Sequence, residues 1–425
     1  MNPSPHRSNS VGSGRRPGFI SKLILLGATT LLACVAAEAA LQLRSRFSKF
    51  VFRAHAEYLY TFRPGKSYQR SMAAEDGGSS FPVVINSEGR RGALLDPNRP
   101  KIVVYGDSSV AGEYCPVEKT FAARLENRLG ENGWSYQVVN CGVTGFGPDQ
   151  QLLRMQAESA ELSPRLIVVV FTEWNDLGDL MRNGLFALDA TNGLARRHPI
   201  FSPQLKVLFD SNDPRGSSLL LHYLGRVMAR FGSGGRSEPE TKAPSPSIVG
   251  REMFEYWLPF RQEEFHRFRM PGELVVDNLF VDTLDADVIL DPESESSRYK
   301  IHLLEAVVRG MMEHARSVGV PILFVTIPSA ADVYKTIDAA DVRKRHPGYR
   351  DASISAAFAR VFERLGAMTV RLDTLFASHP ADTVYLPKDG HWSPEGQRLA
   401  AEAVGRWVEA KSLVPKSEPK KSVSR

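Results

Sequence analysis

The segment Leu166–Phe171 reads Leu-Ile-Val-Val-Val-Phe, six apolar residues with no polar alternation. A strand with one face in water alternates apolar and polar side chains, whereas one that is apolar throughout must be covered on both faces. Six residues is also the length of a strand rather than of a buried helix. The segment is therefore expected to be an inner strand of a sheet that lies between two layers. Lys101–Tyr105 (Lys-Ile-Val-Val-Tyr) is a second run of this kind, ended by Gly106.

What lies between and after these runs fixes the connections. Thr120 is placed to cap a helix with Phe121, Leu125 and Leu129 on one face, closed by Gly130. Ser135–Val139 reads as a strand, and a helix is expected from Pro148 to Glu161. A long helix at about Arg298–Val318 carries Ile301, Leu304, Val307, Val308, Met311 and Ala315. A strand at Pro321–Ile327, a helix at Ser353–Leu365, a strand at Met368–Leu372 and a helix from Pro394 to about Ala410 complete the series. Val83–Ile85 reads as one further short strand, before the turn-rich Asn86-Ser87-Glu88-Gly89. Strands separated by helices of ten or more residues mean βαβ units and a parallel sheet. The fold class expected is α/β, a three-layer α/β/α sandwich.

The alternation breaks between Asp176 and Arg298, so residues 177–297 are expected as an insertion into a domain spanning 80–410. Gly232–Gly250 is rich in Ser, Pro and Gly, the composition of a mobile segment. Phe254, Tyr256, Trp257, Phe260, Phe265 and Phe268 form an aromatic cluster, read as the insertion's core, with a lid or sugar-stacking surface as the alternative. Residues 44–79 are expected to be a linker and 411–425 a disordered basic tail.

The chain carries a net charge of +5, which invites a nucleic-acid reading. Its distribution excludes one. Residues 1–53 hold +7 and residues 411–425 hold +4, which leaves −6 for residues 54–410. A mildly acidic body offers no face that tracks phosphates.

The N-terminal charge flanks an apolar run, Phe19 to Leu43, in which Leu23–Ala37 has no charged residue. About 20 helical residues span a bilayer core, so 19–43 is expected as an uncleaved signal-anchor behind a polar cytoplasmic tail, 1–18. Two alternatives are open. Leu31-Leu32-Ala33-Cys34 is a lipobox-like segment that would make the chain a lipoprotein anchored at Cys34, and Val35-Ala36-Ala37 fits a cleavage site. Positive charges on the two sides of the span balance, so orientation does not follow from them.

In open α/β sheets ligands bind at the carboxyl ends of the strands, and four short motifs fall there. Gly106-Asp107-Ser108-Ser109 follows the first strand, Asn140-Cys141-Gly142 the second and Trp174-Asn175-Asp176 the third. Asp389-Gly390-His391-Trp392 precedes the final helix. A serine hydroxyl is a weak nucleophile until a base takes its proton, and neutral histidine is such a base. Four motifs in this order, each beyond a strand end, are a poor match to packing alone.

The chain resembles the SGNH/GDSL-type serine hydrolases: Ser in Gly106-Asp107-Ser108, Gly at Gly142, Asn in Asn175-Asp176, and His391. The resemblance covers about 80–410 without the insertion. It is similar in particular to a membrane-anchored bacterial branch, in which Asn-Ser-x-Gly-x-Arg-Gly precedes the first strand; here that segment is Asn86–Gly92. The resemblance implies a flavodoxin-like parallel sheet (the SGNH hydrolase fold). It further implies Ser108 as nucleophile, His391 as general base and acid, and an oxyanion hole formed by Ser108 N–H, Gly142 N–H and the Asn175 amide. The commoner spacing would put the aspartate at 388, where Lys388 stands. Asp389 gives instead the Asp-x-His spacing of polysaccharide O-acetyltransferases. Asp107 and Asp176 are read as structural, Asp373 as a possible support of the loop, Ser109 as a bystander to Ser108, and Trp392 as packing rather than sugar-stacking.

The implied activity is hydrolysis of small acyl esters, with O-acetyl groups of envelope or secreted polysaccharide as the expected substrate. Transfer of the acyl group to a sugar, and a non-catalytic envelope scaffold, are the alternatives. The expected location is the bacterial inner membrane, with the catalytic domain facing the periplasm or the exterior. In that compartment Cys115 and Cys141 are candidates for a disulfide, with two buried thiols as the alternative. No metal-ligand spacing, dinucleotide fingerprint or Walker loop occurs, so no metal or cofactor is expected.

Overall fold

A computed structural model describes residues 19–46, 50–212, 251–279, 285–335, 338–351 and 353–416. The chain divides into two compact units. The first comprises Met1–Ser48 with Asp210–Glu238 and the second Lys49–Phe209 with Pro239–Arg425. In the first, helix α1 (Phe19–Arg46) is long and apolar enough to cross a membrane. The polar tail 1–18 and the Ser/Pro/Gly-rich stretch 232–250 lie outside the described residues.

The second unit is built on five parallel strands: β5 (Lys101–Tyr105), β6 (Gln137–Asn140), β7 (Pro164–Thr172), β12 (Ile322–Ile327) and β13 (Thr369–Arg371). Their spatial order is β13-β12-β7-β5-β6, every neighbouring pair parallel. Counted along the chain this is 2-1-3-4-5, the flavodoxin-like order. Side chains alternate between two cores. Ile102 and Val104 face one, with Leu166, Val168 and Val170; Val103 and Tyr105 face the other, with Ile167, Val169 and Phe171. This is the physical reason the β7 sequence lacks polar alternation: both faces are buried. The order reverses between β5 and β7, the switch point where ligands bind in such sheets.

Helix α2 (Ser108–Ala111) follows β5, then come α3 (Phe121–Glu131), α4 (Pro148–Leu162) and α5 (Asp176–Asn183). The helices Glu295–Ser317, Ser353–Leu365 and Pro394–Lys411 complete the covering layers. Element boundaries expected from sequence hold within about three residues, as fraying ends allow.

Residues 44–79, expected to be a linker, are not one. They carry strands β1 (Phe52–His55), β2 (Leu59–Phe62) and β3 (Ser67–Ser71), and β4 (Ser80–Val84) follows. β1 pairs with β2 and β3 with β4, both antiparallel. Tyr58, Tyr60 and Phe62 are buried in the larger core, Tyr60 edge-on to Phe146 at 5.4 Å. Two four-residue strands, the second opening on a left-handed Leu59 (φ 69°), carry too weak a periodicity to read from sequence. The tail expected to be disordered from 411 is in part ordered: Val414 is buried and Tyr136 donates to Pro415 O at 2.8 Å. Residues 417–425 lie outside the described residues.

The insertion contributes two short pairs, β8 (Phe186–Leu188) with β9 (Leu194–Arg196) and β10 (Ile200–Phe201) with β11 (Val275–Val276), and the helix Arg251–Arg269. Phe254, Trp257 and Phe268 are buried on one side of that helix, while Phe260 stays exposed. Most of the aromatic cluster is therefore core. Arg261 of the same helix is buried with them, pairs with Glu264 at 2.5 Å and feels the charges of Asp285, Asp179 and Asp287. Its guanidinium lies where Gly178 of α5 leaves room, since a Cβ there would be 2.2 Å from Arg261 Cζ. Lys300 bonds Asp287 at 2.8 Å, and Asp285 accepts the Leu177 N–H at 3.1 Å. These buried charges fasten the insertion to α5, and α5 begins at the Asn175 motif.

Candidate active site

The nucleophile turn forms because β5 ends at a glycine with no room for a side chain. A Cβ on Gly106 would be 2.3 Å from Val110 Cγ2, so α2 folds back at once. Asp107 caps that helix and accepts the Ser109 N–H at 2.8 Å. Ser108 begins the helix, and its own N–H has no protein acceptor among the described residues. Ser109, the neighbouring serine, is turned away, its hydroxyl 3.0 Å from Thr172 Oγ1 on β7.

Ser108 Oγ lies 2.8 Å from His391 Nε2, and His391 Nδ1 is hydrogen-bonded to Asp389 Oδ1. With the Nδ1 proton shared with a carboxylate, Nε2 is left as acceptor for the serine hydroxyl. The two-residue spacing is bridged by Gly390 at φ 85°, a backbone conformation that favours glycine. The loop is closed by Leu386 N–H to His391 O at 2.7 Å and Gly390 N–H to Leu386 O at 2.8 Å. Burial works against ionisation of Asp389, but the His391 hydrogen bond and the charges of His391 and Arg70 hold its carboxyl below the usual range.

Trp392 is fully buried, donates from Nε1 to Ser109 O at 2.8 Å and stacks on Phe121 at 5.7 Å. It ties the histidine loop to the nucleophile helix and has no face for a sugar. Asp373 pairs with Arg371 at 2.6 Å, and among the described residues it makes no hydrogen bond or ion pair to the histidine loop. Asp176 accepts the Thr172 N–H at 2.7 Å, and burial raises its carboxyl well above the ordinary range.

Of the groups expected to form an oxyanion hole, the Asn175 amide and the Ser108 N–H are unengaged among the described residues, whereas the Gly142 N–H is not. Asn175 is buried, its Oδ1 has no partner and its Nδ2 donates to no protein group among the described residues. Gly142 N–H, expected as a donor, instead bonds Asn140 Oδ1 at 3.0 Å, while Asn140 Nδ2 donates to Val110 O at 2.8 Å. Gly142 is required for packing: a Cβ there would be 2.4 Å from Ala111 N. The amides of Thr144 and Gly145 in the next turn donate to no protein acceptor among the described residues. Gly145 has φ 75°, and a Cβ there would be 2.7 Å from Tyr60 Oη. Tyr60 donates to Thr144 O at 2.8 Å and Arg182 to Gly145 O at 2.6 Å, so the turn is held from both sides.

The candidate disulfide is not made. Cys115 and Cys141 are both buried free thiols with different neighbours. Cys115 Sγ lies 3.6 Å from Gly112 O and 3.4 Å from Gln397 Nε2, whereas Cys141 Sγ is 3.6 Å from Glu158 Oε2. Burial pushes their thiols up to about 11 and about 12. Among the described residues no group of three or more His, Cys, Asp or Glu side chains is arranged to hold a metal ion.

Several residues of the site lie outside the four motifs. Tyr114 stacks on the His391 ring, centroids 3.9 Å apart and planes at 24°. Arg70 of β3 has its guanidinium carbon 4.4 Å from the Tyr114 ring centre and reaches Asp389 Oδ2 at 3.5 Å. Arg91, from the Asn86–Gly92 segment, is buried and donates to Ala111 O at 3.2 Å, Cys115 O at 2.5 Å and Gly112 O. It thereby holds the chain between nucleophile and Tyr114. Arg91 had a sequence signal in its segment; Arg70 and Tyr114 had none, because only tertiary contacts bring them to the histidine.

A parallel 2-1-3-4-5 sheet with a Ser–His–Asp chain at its switch point defines an SGNH/GDSL-type fold and site. The family model that matches is described as "SGNH hydrolase-like domain, acetyltransferase AlgX", over residues 286–425. Over those residues, about a third of its length, the chain is similar to that domain, and the sheet order is that of the SGNH hydrolase fold. No curated protein matches the chain. Among solved structures, an acetylxylan esterase from Geobacillus stearothermophilus, a catalytic mutant, is 12% identical over 77% of this chain and 100% of its own, with a TM-score of 0.35. A lipase/acylhydrolase from Enterococcus faecalis is 11% identical over 75% and 100%, with a TM-score of 0.34. TesA is 15% identical over 74% and 99%, with a TM-score of 0.33.

Proposed function

We propose that the chain is a membrane-anchored serine esterase that removes small acyl groups, O-acetyl in the first instance, from envelope or secreted polysaccharide. The observation that carries this reading is the Ser108–His391–Asp389 chain, at 2.8 Å between Oγ and Nε2, beside an unengaged Asn175 amide and an unengaged Ser108 N–H. His391 Nε2 takes the Ser108 proton as Oγ bonds to the ester carbonyl carbon. Ser108 N–H, Asn175 Nδ2 and an amide of the Thr144–Gly145 turn stabilise the developing oxyanion. The C–O bond to the alcohol then breaks, and the leaving alkoxide takes the proton from His391. Water, deprotonated by the same histidine, attacks the acyl-serine and restores the enzyme. Asp389 holds the ring and stabilises the imidazolium. Membrane anchoring is supported by α1, and the proposed substrate would require the body to face the periplasm or the exterior.

A second reading has its own support. The matched family description names an acetyltransferase, and the Asp389-x-His391 spacing resembles that of SGNH proteins acting as polysaccharide O-acetyltransferases. In that reading a sugar hydroxyl replaces water in the second step, with no change in the residues used.

The test is hydrolysis of an aryl acetate by the full-length protein in detergent, with and without a polysaccharide acceptor, beside Ser108→Ala and His391→Ala. Each substitution is expected to reduce turnover by about 10⁶-fold. Acylated glycan formed faster than free acetate would select transfer. Turnover equal in wild type and both variants would reject the site altogether.

A further inference from the structure

Arg70 belongs to the β3–β4 hairpin, ahead of all four motifs, yet it closes a ring of contacts around the general base. Asp389 accepts from His391 through Oδ1 and meets Arg70 Nη2 with Oδ2 at 3.5 Å. Tyr114 contacts both the guanidinium and the imidazole, its ring centre 4.4 Å from Arg70 Cζ and 3.9 Å from the imidazole centre. We propose that Arg70 is a positioning residue of the active site: it holds Asp389 and Tyr114 against His391, and its charge sets the pH at which the histidine becomes a base. The proposal rests on His391 serving Ser108 as base, as argued above.

The need for such a residue follows from the loop. Asp389 sits two residues before His391 and is one quarter exposed, so it is presented from a solvent-facing loop tip. A carboxylate there keeps its rotamer freedom unless something holds its outer oxygen. The hairpin does this at three points: Arg70 on Asp389, Asp76 Oδ1 accepting the Lys388 N–H at 2.8 Å, and Glu75 near Lys388 Nζ at 3.9 Å. An exposed ion pair alone contributes little. What distinguishes Arg70 is that its planar fork also stacks on Tyr114, which a point charge would not do.

The charged and titratable groups around His391 give the sign. Its own loop supplies Asp389 and Lys388, the hairpin Arg70, Glu75 and Asp76, and the nucleophile segment Asp107, Ser108 and Tyr114. Lys388 is offset by Glu75, which leaves Arg70 as the cation beside Asp389 and Tyr114, the two groups that hold the imidazole. Removing that cation makes the imidazolium easier to form, so the neutral base would persist only at higher pH.

The experiment labels Ser108 of the full-length protein in detergent with a fluorophosphonate across pH, in wild type, Arg70→Met and Arg70→Lys. Methionine keeps an apolar stem against Tyr114 and removes the charge. Arg70→Met is expected to label about tenfold more slowly at neutral pH, with the acid limb moved up by about half to one pH unit. Arg70→Lys is expected to restore the limb without the full rate. The pKa of His391, followed by NMR and assigned by loss of its signal in His391→Gln, should rise in Arg70→Met by the same amount. An unchanged limb and an unchanged His391 titration in a folded Arg70→Met would overturn the proposal, as would a rate loss with an unmoved limb. A wild type that is labelled at no pH would defeat the esterase reading, while the histidine titration still decides the role of Arg70.

Discussion

Replacing Arg91 by methionine tests whether the segment ahead of β5 supports the nucleophile. The guanidinium is 2% exposed and serves three backbone carbonyls, those of Ala111, Gly112 and Cys115. All three lie where α2 ends and the chain turns toward Tyr114. Gly112 holds φ 66°, and a Cβ there would be 2.7 Å from Thr120 Cγ2, so the turn cannot relax outward to find water. Hydrogen bonds from a charged donor are worth about 1.5–3 kcal/mol each, and buried acceptors left alone cost about 1–3 kcal/mol each. Part of this is offset because the buried guanidinium, whose charge burial disfavours, is no longer desolvated. A net loss of about 3–5 kcal/mol is expected, which lowers the melting temperature of a unit this large by about 6–10 °C. Because the displaced turn carries Tyr114, fluorophosphonate labelling of Ser108 should slow by about tenfold or more at temperatures well below the melt. The assays are a thermal melt and a labelling time course on the full-length protein. A variant that melts within about 2 °C of wild type and labels at the same rate would refute the reasoning.

Three further outcomes follow from the geometry. Asn175→Ala should lower kcat by roughly a hundred- to thousandfold with little change in KM, measured on an aryl acetate, because the amide serves only the developing oxyanion. Burial pushes the Glu173 carboxyl up to about 8, against bonds from Ser355 and Thr326 that lower it. A raised carboxyl contributes stability that is full below about pH 4.5 and is lost as pH rises to about 8. Glu173→Gln should therefore gain melting temperature over wild type at pH 8.5 and not at pH 4.5. Finally, a thiol reagent should leave Cys115 and Cys141 unmodified in the native protein and modify both after denaturation without reductant. A mass two daltons lower, regained on reduction, would reveal the disulfide that the structure lacks.

The hairpins show where sequence reasoning stopped. The Tyr58–Phe62 segment is short, and its burial depends on Phe146 and Leu279, far along the chain. Nothing local distinguishes such a segment from a linker. Gly142 shows a subtler limit. Its need for a glycine was legible, but the reason lies in the close approach of Ala111 and Val110, and its N–H is taken by Asn140. The Cys115–Cys141 pairing failed for the same kind of reason: nearness of two cysteines to motif residues in sequence says nothing of where their Sγ atoms point.

What the amino-acid order determined is what depends on local pattern. Apolar runs without alternation require a sheet buried on both faces, helical spacing between them requires parallel crossovers, and motifs beyond strand ends then gather at one edge of that sheet. The motifs that hold Ser108, His391, Asp389 and Asn175 were visible on this basis, and the resemblance to the SGNH/GDSL hydrolases named their roles. Which partners those side chains meet was decided only in three dimensions. Arg70, Tyr114, Tyr60 and Arg91 act through contacts 20 to 319 residues away in sequence, closed by packing of the hairpins and the buried charges of the insertion, and no pattern along the chain encodes a contact whose two halves are brought together by the core.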